Sequence, residues 1–202
     1  MPDGTTTKGV IMLRFNPSNI TQTVAFSGHR PEKLPFGNDL SHPDAIRLRT
    51  LIANEIKALY KKGYFHYISG MARGIDMLCA ELILEMKKDY PRLELICALP
   101  CFHQSDRWPE EDKKRYDRIC SEAYACQCVT ESEYFKGCMQ VRNRFLVESS
   151  GLLIAGCNGQ KSGTTNTIGY AQKKGKKIVV FIPENFTRVV LIENEEQLTM
   201  FD

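Results

Sequence analysis

Short apolar segments alternate with amphipathic segments along most of this chain. The apolar segments are six to eight residues long, which is typical of buried strands, and they cover residues 23–28, 65–70, 93–100, 123–129, 151–156 and 178–183. Segments with apolar residues at helical spacing lie between them, over residues 43–62, 75–86, from Pro109 onward, 139–149 and 165–174. This alternation predicts an α/β, Rossmann-like fold, with a mostly parallel sheet flanked by helices on both faces.

The length of 202 residues suits one large domain with its own hydrophobic core. We predict that this Rossmann-like domain covers residues 22–184. Residues 1–21 are predicted to form an irregular N-terminal extension. Residues 185–202 are predicted to form a C-terminal extension that carries a candidate docking motif.

Charge and hydropathy narrow the range of partners. The formal net charge is +3, which by itself gives little support to direct nucleic-acid binding. No apolar run approaches the roughly 20 residues that cross a bilayer, and the N-terminus lacks a signal-peptide pattern. We therefore expect a cytoplasmic protein without membrane contact. The densest basic run, residues 173–177, is typical of a helix end that carries cations on its dipole, with a phosphate contact as the alternative.

The eight cysteines do not resemble a disulfide framework. Cys126 and Cys128 alternate as residues on one strand face do, and no C-x-x-C pair is present. A partial metal site of Cys97, Cys101 and His103 is an alternative with weak support. The cysteines are therefore predicted to be reduced, mostly buried thiols, and we predict no metal site.

Ligands of parallel sheets bind outside the carboxyl ends of the strands, and the loop after the first strand has suitable chemistry. Ser27 and Gly28 end that strand, and a glycine there allows close approach of a ligand to the backbone. Arg30 can pair with phosphate oxygens through its planar guanidinium, and His29 can donate hydrogen bonds or act as an acid or base. The alternative is a tight turn in which both side chains only cap the end of the sheet.

The loop after the second strand, SGMARGID, is also rich in glycine. Gly70 ends the strand, Arg73 adds a cation and Gly74 opens the next helix, whose free N–H groups suit an anion. Asp76 lies in the first helical turn, where it would repel a phosphate, so a ribose hydroxyl or a base edge is its expected partner. Stabilisation of the helix dipole is the alternative role for this carboxylate.

The loop after the fifth strand, NGQKSGTTNT, combines glycines with many hydrogen-bond donors. Gly163, Thr164, Thr165 and Asn166 form a helix entry that can supply N–H and O–H donors to phosphate oxygens. An ordinary helix cap explains only part of this pattern.

The segment after the third strand holds the single tryptophan, Trp108, which is expected either to stack on a purine or to close the sheet edge over the core.

Taken in order, these motifs resemble the SLOG superfamily, which includes the SMF/DprA and LOG proteins, and are closest to its YpsA-like branch. The resemblance covers about residues 23–183 and includes SGHRPEKL, ISGMARGID, ALPCFHQSDRW, RNRFLVESSGLLIA and SGTTNTIGYA. It implies a Rossmann-like domain of bacterial or phage origin that binds a nucleotide or an ADP-ribose-like ligand and forms homo-oligomers. The ligand-contacting positions that it implies are Ser27, Gly28, Arg30, Gly70, Gly74, Asp76, Gly163, Thr164 and Asn166.

Two better-characterised groups of the superfamily suggest alternative functions. LOG-type phosphoribohydrolases cleave an N-glycosidic bond with a catalytic glutamate, and Thr167 occupies the corresponding position here. Because threonine supplies no charge, Asp76 would have to replace that glutamate. DprA-type proteins bind single-stranded DNA, which requires a basic groove with stacking aromatics, and the sequence shows no such interleaving. The leading prediction is binding or sensing of a nucleotide or ADP-ribose-like ligand, and the sequence identifies no other cofactor.

The C-terminal residues resemble a short peptide by which bacterial replication and repair proteins dock on the sliding clamp. In this interpretation Leu198, Met200 and Phe201 occupy apolar pockets, and Gln197 fixes the orientation through hydrogen bonds. The alternative is that these apolar side chains pack on the parent domain. A sliding clamp is therefore a candidate partner.

Overall fold

The computed structural model describes residues 20–130 and 132–191, which form seven strands and five α-helices. The strands are β1 (Thr23–Gly28), β2 (His66–Ser69), β3 (Glu94–Leu99), β4 (Ala125–Cys128), β5 (Leu152–Gly156), β6 (Lys177–Phe181) and β7 (Arg188–Leu191). The helices are α1 (Pro43–Tyr60), α2 (Ile75–Met86), α3 (Glu110–Glu122), α4 (Cys138–Glu148) and α5 (Gly163–Lys173). Two short 3₁₀ helices cover Ile20–Gln22 and Pro31–Lys33.

All strands belong to one sheet with the order β4-β3-β2-β1-β5-β6-β7. β1 to β6 are parallel, and β7 pairs with β6 in the antiparallel direction. This arrangement confirms the predicted Rossmann-like α/β fold. The sequence analysis missed β7, which lies beyond residue 184 within the segment assigned to the C-terminal extension. Its buried and exposed positions follow the pattern of an outer strand, so its apolar signal is weaker than that of the inner strands.

Both faces of the sheet are buried because successive residues of each strand point to opposite sides. Val24 and Phe26 of β1 belong to a core with α1, α2 and α3, whereas Ala25 between them belongs to a second core with α4 and α5. Apolar residues therefore occupy consecutive positions, which explains the continuous apolar strand segments in the sequence.

The strand order places a topological switch point between β1 and β5. The chain proceeds outward from β1 to β4 and then returns to the other side of β1, where β5 pairs with it. The loops that follow β1 and β5 consequently diverge to opposite faces and leave a crevice at the carboxyl edge of the sheet. In sheets of this type, ligands bind in the crevice at the switch point, so the strand order predicts a ligand site here.

The cysteines agree with the prediction of mostly buried thiols. All eight are free, and only Cys120 and Cys126 are partly accessible. Among residues 20–130 and 132–191, no group of three or more His, Cys, Asp or Glu side chains could hold a metal ion. No helix in the same two ranges has the length and apolar character required to span a bilayer. The docking motif with Gln197 and Phe201 lies outside the described residues, as do residues 1–19.

Candidate functional site

A cavity of about 320 Å³ lies at the carboxyl ends of β1 and β5, at the switch point. All three loops singled out in the sequence contribute to it, together with α4. Its lining residues are Ser27, Gly28, His29, Arg30, Glu32, Lys33, Ala72, Asp76, Met139, Arg142, Asn143, Ser162, Gly163 and Thr164. Seven predicted site residues are therefore brought together: Ser27, Gly28, His29, Arg30, Asp76, Gly163 and Thr164.

The loop after β1 is fixed by hydrogen bonds to the loop after β5. The His29 N–H donates to the carbonyl of Gly156 at 2.9 Å. The imidazole is buried, and its Nε2 lies 2.8 Å from Oδ1 and 3.2 Å from the backbone nitrogen of Asn158. His29 therefore joins the two loops that enclose the crevice, and its Nε2 is already engaged.

Arg30 extends from this anchored loop and is exposed. Within the part of the chain that the structure describes, it forms no ion pair, unlike the nearby Arg73 and Arg142. Its guanidinium is close enough to Asp76 and Arg142 to affect the pKa of both groups. Arg30 is thus a cation at the cavity whose hydrogen-bond donors are available to a ligand.

The N-terminus of α5 supplies backbone donors on the other side of the cavity. Ser162 caps the helix by accepting the N–H of Thr165 at 3.2 Å, while Thr165 Oγ1 accepts the Ser162 N–H at 2.8 Å. The first N–H groups of a helix have no acceptor within the helix. Over the described residues, the N–H groups of Gly163 and Thr164 have no acceptor, and both residues line the cavity. This end of α5 is suited to an anion.

The glycines of the second loop shape the cavity without lining it. Gly74 has a φ of 86°, and a Cβ there would lie 2.4 Å from the carbonyl oxygen of His29. This close approach lets the N–H of Ile75 donate to the same carbonyl at 3.1 Å. The first N–H of α2 therefore holds the β1 loop. It is not available to an anion, contrary to the expectation from the sequence.

Seven lining residues were not predicted from the sequence, and Arg142 of α4 is the buried cation among them. Its side chain is buried beside Asp76, with Nη1 at 3.3 Å from Oδ2, and both residues line the cavity. Gly70 makes this position possible, because a Cβ there would lie 1.5 Å from Nη1. Nε of Arg142 is buried with no hydrogen-bond partner in the described structure. The sequence did contain a signal: Cys138, Arg142 and Leu146 are four residues apart and share the buried face of α4.

Burial governs the ionisation of this pair. It raises the pKa of the Asp76 carboxyl, while the Arg142 guanidinium, the N–H of Ala72 and Arg30 act in the opposite direction. Burial likewise lowers the pKa of Arg142, and Asp76 opposes that shift. Each charge therefore depends on the other to remain in a site from which water is largely excluded.

The charges around the cavity favour an anionic ligand. Two carboxylates line it, and each is paired with an arginine: Asp76 with Arg142, and Glu32 with Arg73. Lys33 donates a long hydrogen bond of 3.4 Å to the carbonyl of Lys161, which leaves its charge uncompensated. Together with Arg30, it leaves the rim of the cavity positively charged.

The remaining predicted residues lie outside this cavity. Arg73 donates to Glu32 and to the buried Asp112, so carboxylates hold its side chain away from the cavity. Trp108 packs edge-on against Tyr116 with ring centroids 5.4 Å apart and contacts the core, which fits the alternative that it closes the sheet edge. Thr165 and Asn166 line a neighbouring groove instead.

Thr167, at the position of the catalytic glutamate in LOG-type enzymes, is buried in α5. Its hydroxyl donates to the carbonyl of Gly163 at 2.9 Å. This hydrogen bond uses the hydroxyl inside the helix. Among the described residues, two carboxylates line the cavity, and of these Asp76 is buried whereas Glu32 is exposed.

Proteins with similar sequences occur in Bacillus. The UPF0398 protein of Bacillus thuringiensis (strain Al Hakam) is 28% identical over 163 residues, which cover 78% of this chain and 85% of that protein. The UPF0398 protein BCAH187_A1726 of Bacillus cereus (strain AH187) has the same identity and coverage.

Two solved structures have a similar fold, and both are DNA processing protein A. The one from Helicobacter pylori, described with a unique single-stranded DNA binding mode, has a TM-score of 0.54 at 22% identity and covers 86% of this chain and 76% of its own. The one from Streptococcus pneumoniae has a TM-score of 0.55 at 18% identity and covers 81% of this chain and 51% of its own.

Residues 24–180 match the YpsA family model, described as the YspA SLOG family. The chain therefore belongs to the YpsA family of SLOG proteins.

Proposed function

We propose that this protein binds the phosphate of a nucleotide or nucleotide-derived ligand, of the ADP-ribose type, in the cavity between β1 and β5. The observation that carries the proposal is the meeting of two kinds of free donor in one crevice. The N–H groups of Gly163 and Thr164 lie on one side, and the guanidinium of Arg30 lies on the other. This combination suits the oxygens of a phosphate monoester or diester.

The size and the polar lining of the cavity support a small ligand. Its volume of about 320 Å³ lies at the lower end of the range found for ligand pockets. Asp76 lines the cavity and can accept a hydrogen bond from a ribose hydroxyl, while Arg142 keeps the carboxylate charged. The phosphate and the sugar would therefore be recognised by different loops.

Ligand-dependent thermal stabilisation tests the proposal. AMP, ADP-ribose and NAD are added at increasing concentrations to the wild type and to Arg30→Met. Loss of a charge-assisted hydrogen bond is expected to weaken binding about 10- to 100-fold. Arg92→Met is the matched control, because Arg92 is exposed before β3, where its guanidinium lies 3.7 Å from the Phe65 ring centroid. The proposal fails if none of the three ligands raises the melting temperature of the wild type.

Single-stranded DNA is the second candidate, because one of the similar structures is described with a single-stranded DNA binding mode. The uncompensated charges of Arg30 and Lys33 provide suitable phosphate contacts. Fluorescence anisotropy with a labelled oligonucleotide, repeated at several salt concentrations, tests this reading. A steep salt dependence whose slope falls by about one in Arg30→Met would favour DNA, since each lost phosphate contact reduces the salt slope by about one.

A glycosidase activity is the third candidate and requires Asp76 to act on the sugar. Incubation of the protein with a panel of nucleoside monophosphates should then release free base.

Three other expectations stay predictions. They are homo-oligomerisation, a cytoplasmic location and docking on a sliding clamp through Gln197, Leu198, Met200 and Phe201. A clamp pull-down with and without residues 197–202 tests the last of these.

A further inference from the structure

A second concave surface adjoins the cavity and is not used by the proposed mononucleotide contact. It is a groove of about 450 Å³ between α4 and α5. The groove and the cavity share Met139, Asn143 and Gly163 in their linings, so the two spaces are adjacent. A ligand that places its phosphate at the α5 N-terminus therefore lies next to the start of this groove.

The groove is long enough for more than one nucleotide. It follows α5 from Gly163 to Lys173, and the rise of a helix over these ten steps is about 15 Å. Successive phosphates along one strand of a stacked duplex rise only about 3.4 Å. The distance from the proposed phosphate position to Lys173 thus exceeds what a single nucleotide spans.

The side chains along the groove match the parts of a nucleotide. Tyr170 lines it and is only half-buried, and its hydroxyl donates to Glu148, which fixes the ring. Two cations approach the same ring, with Arg144 Cζ at 5.9 Å and Lys174 Nζ at 5.5 Å from the centroid. Aromatic rings and guanidinium planes both stack on nucleobases.

Polar groups of the groove complete this chemistry. Asn143 and Asn166 carry amides that can read the edge of a base, and Lys173 is an exposed cation at the far end. Gly169 leaves open space on the α5 surface, since a Cβ there would contact nothing within 4 Å. Acidic residues do not line the groove within the described structure, so its charge complements a phosphodiester.

We infer that the α4–α5 groove is a second nucleotide subsite, so that the protein binds a ligand of at least two linked nucleotides. The first nucleotide occupies the cavity with its phosphate at Gly163 and Thr164. The base of the second stacks against Tyr170, and Lys173 contacts the next phosphate or the chain end. This inference rests on the proposed function, because the groove acts only as an extension of the phosphate site.

Isothermal titration calorimetry with dAMP, the 5′-phosphorylated dinucleotide pdApdA and a 5′-phosphorylated DNA decamer tests the inference, because all three probes carry the same sugar. The wild type should bind pdApdA at least about tenfold more tightly than dAMP. Tyr170→Leu should remove about 5- to 150-fold of the affinity for pdApdA and leave dAMP binding unchanged. Tyr124→Leu is the matched control, since Tyr124 is half exposed and lies just before β4 at the sheet edge. Lys173→Gln should weaken binding of the decamer, which carries a phosphate after the second nucleotide, but not of dAMP.

The outcomes separate this inference from the proposed function. Equal affinity for dAMP and pdApdA in the wild type overturns the second subsite while the phosphate site stands. Absence of binding by every probe overturns both. A decamer that binds no more tightly than pdApdA supports a free dinucleotide-sized ligand, and one that binds more tightly supports the end of a DNA strand. If Tyr170→Leu changes only the oligomeric state, a second copy of the chain occupies the groove, and the inference is wrong.

Discussion

Breaking the buried ion pair between Asp76 and Arg142 should destabilise the protein strongly. Both side chains are about 5% exposed, and Nη1 lies 3.3 Å from Oδ2. Removing one partner of such a pair leaves an uncompensated buried charge, at a cost of about 3–5 kcal/mol. For a protein of this size that corresponds to a drop in melting temperature of about 6–20 °C. We expect Arg142→Met to fall in this range at neutral pH, because it leaves the Asp76 carboxylate buried without its cation.

The pH dependence should distinguish the two halves of the pair. In Arg142→Met the carboxyl loses its cation, so burial raises the pKa of Asp76 further above its usual 3.8. The folded state then binds the proton more readily than the unfolded state. The stability of Arg142→Met relative to the wild type is therefore highest below about pH 4, and it declines as the pH rises through the raised pKa of Asp76. In Asp76→Asn no carboxyl remains at this position to titrate, so the stability of that variant should lack this dependence on pH.

Urea unfolding at several pH values, followed by circular dichroism, measures both effects. Arg188→Met is the matched control, because Arg188 pairs with Glu55 at a much more exposed position and should contribute less than about 1 kcal/mol. Loss of less than about 1 kcal/mol in Arg142→Met at neutral pH, or a flat pH profile for that variant, would refute this account of the pair.

Three further predictions follow from the same contacts. Gly70→Ala should displace the buried guanidinium that lies 1.5 Å from the added Cβ, which lowers the melting temperature and abolishes nucleotide binding; Gly169→Ala, with open space at that position, should not lower it. Arg73→Met should destabilise the fold by about 1.5–3 kcal/mol through its lost bond to a buried carboxylate, yet calorimetry should show an unchanged nucleotide affinity. Ellman's reagent should react readily with no more than the two half-buried thiols, Cys120 and Cys126, in the native protein and with all eight after denaturation; rapid reaction of further thiols before unfolding would contradict the burial.

Most strands and helices were predictable because the pattern of apolar residues in each segment agrees with the burial of that segment in the folded protein. β1 reads as a continuous apolar run, and the structure has it at residues 23–28 with both faces covered. The loops after β1 and β5 were predictable as neighbours, since parallel strands that pair at a switch point end at the same edge. The edge strand β7 was missed because only part of it is buried.

The direction of individual side chains was harder to predict. Arg73 stands next to Gly74 in a loop that looks suited to phosphate, yet Glu32 and Asp112 hold its guanidinium elsewhere. Arg142 reaches Asp76 across 66 positions of sequence, so no local motif links them. A cation on the apolar face of a helix was the available signal, because a buried charge requires a partner.

A structure of the protein with AMP bound tests the central claim most directly. The account predicts that the phosphate oxygens lie about 2.7–3.2 Å from the N–H groups of Gly163 and Thr164 and from the guanidinium of Arg30. It predicts the ribose beside Asp76. A phosphate bound at the N-terminus of α2, or anywhere away from the carboxyl ends of β1 and β5, would contradict it.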